Sequence, residues 1–173
     1  MRTVSLNART ALEDIGSAEV EVALFSITHP SIDGAIRLST DPTTRLSDDP
    51  LQYGTISSWE GGSAEDPFLF ILAAAGFPSD VEDAPSSTTL IVDNVDRRIA
   101  DMLRALSGRA TLHMAVVLAS DPNVLEVEFR NMKIVSSDGN AQSITLQVSR
   151  EPIEGESVPK DRFTKARFPG LFA

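Results

Sequence analysis

The feature of this sequence that most constrains its fold is a period-two alternation of apolar residues through three successive segments of the last third. The alternating positions are Leu112, Met114, Val116 and Leu118, then Leu125, Val127 and Phe129, then Ile144, Leu146 and Val148. Turn-forming residues separate the segments, at 120–123 and at 138–140. Because a strand places alternate side chains on one face, the pattern predicts three consecutive antiparallel strands joined by tight turns.

The alternation slips by one residue inside the second of these segments, at 124–135. It runs as far as Phe129 and then resumes out of phase at Met132 and Ile134. One extra residue in one strand of a pair produces such a slip. We therefore predict a β-bulge near Arg130 or Asn131.

Several upstream segments also have the composition of strands. They are 20–27, which alternates and is ended by His29-Pro30; 35–39; the apolar run 68–73; and the β-branched run 88–92. The run 68–73 predicts one strand that is buried on both faces or covered by a partner. Residues 41–67 are rich in Asp-Pro and Gly-Gly pairs, which predicts a long loop with one weak strand at 51–56.

Two segments have helical periodicity. Residues 6–15 predict a short N-terminal helix that Gly16 ends. The main helix is predicted at 95–107, where one apolar stripe contains Val95, Ile99, Met102, Leu103 and Leu106. Asp93 or Asn94 is its predicted N-cap, and Asp96 in the first turn complements the helix dipole.

The chain of 173 residues is about the length of one domain. Many strands beside one main helix predict an α+β, mostly β domain at 1–150 that contains the long loop 41–67. Residues 151–173 contain Pro152, Pro159 and Pro169 and have no apolar periodicity before Phe163. They predict an extended C-terminal arm with aromatic anchors.

Composition excludes several classes of function. The chain has no cysteine, which excludes disulfides, thiolate nucleophiles and cysteine-based metal sites. Its net charge of -10 argues against a general nucleic-acid binder. No apolar stretch is long enough to span a membrane, and the N-terminus lacks the apolar core of a signal peptide. An acidic globular protein made inside the cell, without membrane insertion, is expected.

Catalytic equipment is sparse in this sequence. His29 is interpreted as a strand-end residue and His113 as a strand or interface histidine. The carboxylates occur in loop runs that predict solvated charge, and no glycine-rich phosphate loop is present. Trp59, beside Glu60, is either a ligand-stacking platform or, more often for such a residue, packed on its own domain or a partner. We predict no enzymatic activity, no metal and no cofactor.

Three groups of residues, in this order, resemble a family of small tail proteins of long-tailed phages, catalogued as a domain of unknown function. They are 90–99, which contains Asp93, Asn94, Asp96 and Arg97; 117–122; and 162–172, which contains Phe163, Arg167 and Phe168-Pro169-Gly170-Leu171-Phe172. Residues 24–30 and 36–38 also fit, whereas the loop 41–67 does not match the family. Members are typically encoded among the tail-tip genes, near the tape measure and baseplate hub.

The resemblance implies a virion structural subunit of the tail tip, similar to distal tail or tail-tube proteins. Its fold would be an antiparallel β-sandwich or split barrel, and its copies would close into a ring, a hexamer more readily than a trimer. Expected neighbours are the tail tube protein, the baseplate hub and the tape measure protein, with DNA only as passing cargo. The protein would be assembled in the host bacterial cytoplasm and reside in the virion tail.

The C-terminal arm is the predicted partner surface, because residues 160–173 contain four of the 15 basic residues and one of the 25 acidic ones. The candidate interface residues are Phe163, Arg167, Phe168, Pro169, Leu171 and Phe172. They dock on a neighbouring copy or ring, or they fold back on their own domain. Two rival functions stay open: a carbohydrate- or ligand-binding β-sandwich module with Trp59 and loop carboxylates as its site, and a tail-associated hydrolase.

Overall fold

The computed structural model describes residues 5–14, 17–30, 32–75, 87–93, 110–139 and 143–149. Residues 78–85, in which three acidic residues between two prolines predict an acidic loop, lie outside the described residues. The predicted main helix 95–107 and C-terminal arm 151–173 lie outside them as well. The described residues form the helix α1 (Leu6–Glu13), one 3-10 turn (Trp59–Gly61) and ten strands. The strands are β1 (Glu21–Thr28), β2 (Ala35–Ser39), β3 (Thr44–Asp48), β4 (Leu51–Thr55), β5 (Phe68–Phe70), β6 (Leu72–Ala75), β7 (Ser87–Asp93), β8 (Thr111–Leu118), β9 (Asp121–Gly139) and β10 (Ser143–Ser149).

All ten strands belong to one sheet, in the order β3-β4-β5-β2-β1-β8-β9-β10-β7-β6. The predicted mostly β class is therefore confirmed for the described part of the chain. The sheet is not closed, and β3 and β6 stand at its two ends. Pairing is antiparallel except between β2 and β5, which are parallel.

The three predicted strands of the last third are confirmed as β8, β9 and β10, which pair antiparallel in succession. The first connection is tighter than predicted, because Leu118 already pairs with Asp121 and only Ala119 and Ser120 form the turn. Ile144, Leu146 and Val148 of β10 are buried, as their alternation indicates. Val116 of β8 was predicted on the buried face but is only half-buried, because the ladder with β9 shifts register beside it.

The predicted β-bulge is confirmed. Leu112 pairs with Met132, whereas Met114 pairs with Phe129, so one residue of β8 stands opposite two residues of β9. Asn131 has a φ of 58°, in the left-handed region that asparagine tolerates better than most residues. The bulge returns Met132 to the buried face after the slip.

Two predictions upstream were wrong in part. The region 41–67 is not one long loop, because its polar residues at 44–48 form β3, which pairs with the predicted weak strand β4. The run 68–73 is not one strand: it divides at Ile71 into β5, paired with β2 and β4, and β6, paired with β7. An apolar run predicts an extended segment, but it does not predict which strands that segment pairs with.

The division at Ile71 shows that the sheet curls. In a flat sheet, seven spacings of about 4.8 Å would separate the third and tenth strands, β5 and β6, by roughly 34 Å. Only Ile71 connects them, and two residues span at most about 7 Å. The Ile71 N–H donates to the Ser39 carbonyl at 2.8 Å, and its side chain is buried. The third strand of the sheet, β5, and its last strand, β6, therefore meet at the segment 68–75.

The curl encloses the main core, which collects buried side chains from strands far apart in the order. Its largest members are Phe25, Ile27, Leu38, Leu90, Leu112, Met114, Met132, Ile144 and Leu146. A second, smaller core on the outer face contains Val22, Leu24, Trp59, Phe68, Ala115 and Val117. Because alternate residues of β1 enter the two cores, β1 is buried on both faces.

Candidate functional site

The segment 57–61 lies across the outer face of β8 and β9 and is held along β9 by hydrogen bonds. The Ser57 hydroxyl donates to the Pro122 carbonyl at 2.7 Å, and the Ser58 N–H donates to Asn123 Oδ1 at 2.9 Å. Glu60 then turns through the left-handed region, with a φ of 48°. This turn brings Trp59 and Glu60 to the side chains beside the β9 bulge.

Trp59 packs on its own domain. Its side chain is 7% exposed, and its ring stacks on Phe68 with centroids 5.8 Å apart. The indole Nε1 donates to Glu128 Oε1 at 2.7 Å, which satisfies the ring's single polar group. The interpretation of Trp59 as an exposed ligand-stacking platform is therefore wrong, and the alternative of packing on its own domain is confirmed.

A charged cluster surrounds this indole, formed by Glu60, His113, Glu128 and Arg130. The Arg130 guanidinium bridges the two carboxylates, with Nη1 3.0 Å from Glu60 Oε1 and Nη2 2.8 Å from Glu128 Oε1. His113 Nδ1 lies 3.3 Å from Glu60 Oε1 without hydrogen-bond geometry. His113 is on β8, as predicted, and faces the 3-10 turn rather than the main core.

Within this cluster, the electrostatics favour the ionised forms of Glu128 and Arg130. The hydrogen bond from Arg130 is the main cause that lowers the pKa of Glu128, although partial burial opposes it. The same bond raises the pKa of Arg130. A carboxyl that donates a proton in catalysis needs a raised pKa instead. Glu128 therefore lacks the raised pKa that a general acid needs. The cluster instead holds the 3-10 turn against β8 and β9.

Arg37 of β2 holds the same turn from its other side. Its Nη2 donates to the Glu60 carbonyl at 2.8 Å, and its Nη1 contacts the Asp66 carboxylate. The Arg37 side chain is largely buried, whereas that of Asp66 is mostly exposed. Two arginines on different strands thus fix the backbone and the side chain of Glu60.

A second feature is a pocket between α1 and β9, which we call the α1–β9 pocket. It is lined by residues 5–7 at the start of α1 and by Leu118, Asp121, Val124 and Glu126, and its volume is about 230 Å³. Helix α1 begins here because the Ser5 hydroxyl accepts from the Ala8 N–H as an N-cap. Glu126 anchors the same end of the helix by accepting from the Ser5 N–H at 2.8 Å.

The structure reaches only one of the predicted site residues. Asp93 is the last residue of β7, where it pairs with Leu72 and Ser143. The other motif residues and all the arm residues lie outside the described part: Asn94, Asp96, Arg97, Phe163, Arg167, Phe168, Pro169, Leu171 and Phe172. Their roles stay predictions.

Sequence reasoning missed the charged residues of β9. Glu126, Glu128 and Arg130 recur at a period of two, so they lie on one face of the strand. That spacing was a signal for a charged face opposite the apolar one. Within the described ranges, no group of three or more His, Asp or Glu side chains is arranged to hold a metal ion.

Comparison with known proteins assigns no family: no protein-family model matches the chain, and no curated protein matches it. The resemblance to phage tail-tip proteins therefore rests on the motifs quoted above. No helix among the described residues is long and apolar enough to cross a membrane.

Proposed function

We propose that this protein is a virion structural protein of a long-tailed phage tail tip. It forms a ring, as a distal tail or adaptor protein, that joins the tail tube to the baseplate hub around the DNA channel. In this proposal its work is self-association and docking rather than catalysis.

The curled sheet is the observation that carries the proposal. Its third strand, β5, and its last strand, β6, meet at the segment 68–75 without closing a hydrogen-bonded barrel, and this curl is compatible with the split barrel that the resemblance implies. Among the described strands, β3 and β6 each have a sheet neighbour on one side only. Such an edge is a template for another chain.

A closed ring needs two different patches, because each copy meets the next heterologously. The β3–β4 hairpin at one end of the sheet offers one of them. Leu51 and Tyr53, two residues apart on β4, are 57% and 36% exposed. Exposed apolar side chains that share a face are characteristic of interaction sites.

The charge of the chain suits a DNA channel. Residues 1–159 contain 24 of the 25 acidic residues and 11 of the 15 basic ones. A surface that repels phosphate lets DNA pass without binding it. A tail-tip map with a neutral or basic lumen at this ring would contradict the channel assignment.

Native mass spectrometry of the purified full chain tests the ring. We expect a closed oligomer, six copies rather than three, and electron cryomicroscopy of intact particles should place that ring at the tail tip. A chain that stays monomeric at high concentration and is absent from particles would overturn the proposal. Of the rival functions, the carbohydrate-binding module loses its stacking platform, because Trp59 is buried.

A further inference from the structure

The α1–β9 pocket contains a buried carboxyl group, that of Glu126, with one oxygen that lacks a hydrogen-bond partner among the described residues. Glu126 is 8% exposed, and only one of its carboxylate oxygens, Oε2, has a hydrogen-bond partner among the described residues, the Ser5 N–H. The other oxygen, Oε1, is buried without one. A buried carboxylate is costly unless a cation or further donors compensate it. A positively charged occupant of the pocket would supply this compensation.

The walls of the pocket add an apolar requirement. Of its three apolar lining residues, Leu6 is 78% exposed, Val124 is 43% exposed and Leu118 is buried. Asp121 contributes a second carboxylate to the lining. A volume of about 230 Å³ is below the range typical of small-molecule sites and suits one or two side chains.

The chain itself contains a segment with the complementary chemistry. Residues 160–173 combine Lys160, Arg162, Lys165 and Arg167 with Phe163, Phe168 and Phe172. The remainder of the chain is acidic, so this segment is attracted to the body of any copy. The basic residues of this segment supply a cation for the Glu126 carboxyl group, and its aromatic residues supply an apolar side chain for the walls formed by Leu6 and Val124.

We propose that the α1–β9 pocket of one copy receives residues 160–173 of a second copy. An Arg or Lys of that segment pairs with Glu126 and Asp121, and a Phe packs between Leu6 and Val124. This inference rests on the proposed ring, because it names the second of the two patches that a heterologous contact needs. Charge-assisted hydrogen bonds to a buried carboxylate are among the stronger contacts available at an interface.

The absence of cysteine makes a direct test clean, because introduced thiols are the only ones in the chain. One full-length copy carries Val124→Cys at the rim of the pocket, and another carries Phe168→Cys. Mixed and oxidised, they should form a disulfide-linked pair. Ser137→Cys, on an exposed part of the same strand β9, is the control that should not cross-link.

The role of the charge is tested in the same assay. Glu126→Gln keeps an acceptor for the Ser5 N–H but removes the charge, so at protein concentrations well below saturation we expect the yield of the disulfide-linked pair to fall about tenfold. Asp138→Asn removes the same charge from an exposed site on β9 and should leave pairing unchanged. An equal effect of both substitutions would reduce the contact to general electrostatics and overturn the specific role of Glu126.

Two other occupants have their own outcomes. A chain with both cysteines that forms only an intramolecular disulfide shows that the segment folds back on its own pocket. Preferential coupling of Arg2→Cys to Val124→Cys within one chain assigns the pocket to the residues before Ser5. Either result overturns docking by a second copy. Native mass spectrometry of the same samples separates the proposals: rings without this cross-link overturn the docking alone, and the absence of both overturns the ring as well.

Discussion

Trp59 donates its indole hydrogen bond to Glu128 across 2.7 Å, and so joins the 3-10 turn to the longest strand of the sheet. Glu128 is held in turn by Arg130, and Arg130 also contacts Glu60 in the same turn. The outer core and the charged cluster are therefore one structural unit. This unit covers a face of β1 and β8 that would otherwise expose Val22, Leu24 and Val117.

Replacement of Trp59 should show how much the outer core stabilises the domain. We expect Trp59→Ala to lower the free energy of unfolding by about 3–5 kcal/mol, as for other large buried aromatic residues. Trp59→Phe keeps an aromatic ring beside Phe68 but loses the indole hydrogen bond and part of the buried ring, so we expect a smaller loss of about 2 kcal/mol. Urea titration followed by circular dichroism measures both losses. Tryptophan fluorescence cannot be used, because Trp59 is the only tryptophan and both variants lack it. A loss below about 1 kcal/mol for Trp59→Ala would show that the outer core contributes little.

The lowered pKa of Glu128 predicts a pH dependence of definite sign. A carboxylate whose pKa is lowered by folding stabilises the native state above its ordinary pKa, and that stabilisation is lost as the pH falls through the lowered value. The stability difference between the native chain and Glu128→Gln should thus be constant above about pH 5 and shrink below 4.5. Denaturant titrations between pH 7 and pH 3 test this. With Arg130→Met as the background, most of the pH dependence should disappear, because the Arg130 hydrogen bond is its main cause.

Gly54 and Gly34 form a matched pair for testing close backbone approach. A Cβ at Gly54 would lie 1.9 Å from the Phe68 carbonyl oxygen, in the ladder where Gly54 pairs with Leu69. Gly54→Ala should therefore displace β5 from β4 and cost about 3 kcal/mol or more. Gly34 has a φ of +85° and open space around it, so Gly34→Ala should cost about 1 kcal/mol from backbone strain alone. Equal shifts in thermal unfolding would argue against the β4–β5 contact.

Asn131 tests the bulge. At its φ of 58°, Asn131→Gly should leave stability within about 0.5 kcal/mol, since glycine adopts this conformation freely. Asn131→Val should cost about 1–3 kcal/mol, because a β-branched residue is strained there. Chemical denaturation measures the two values. If valine is tolerated as well as glycine, the β-bulge does not lie between Phe129 and Met132, where the pairing of β8 with β9 places it.

The sequence predicts correctly those strands in which apolar residues alternate. In β8, β9 and β10 the apolar residues recur with a period of two. The slip of that period between Phe129 and Met132 predicts the position of the β-bulge. Strand periodicity and its slip depend only on residues that are near one another in the sequence, so the sequence alone is enough to predict them. The residues 44–48 were missed because β3 is polar and stands at a sheet end, where burial imposes no alternation.

By itself, then, the sequence determined the mostly β class, the meander of the last third and its bulge, because periodicity along a strand is a local property. Only the tertiary structure decided that Phe70 and Leu72 belong to the third and the last strand of a curled sheet, that Trp59 is buried, and that Glu126 faces a pocket beside α1. These outcomes depend on partners supplied by distant parts of the chain. Which strand completes a ladder, and which side chain covers an indole or a carboxylate, is settled by packing and not by the local pattern.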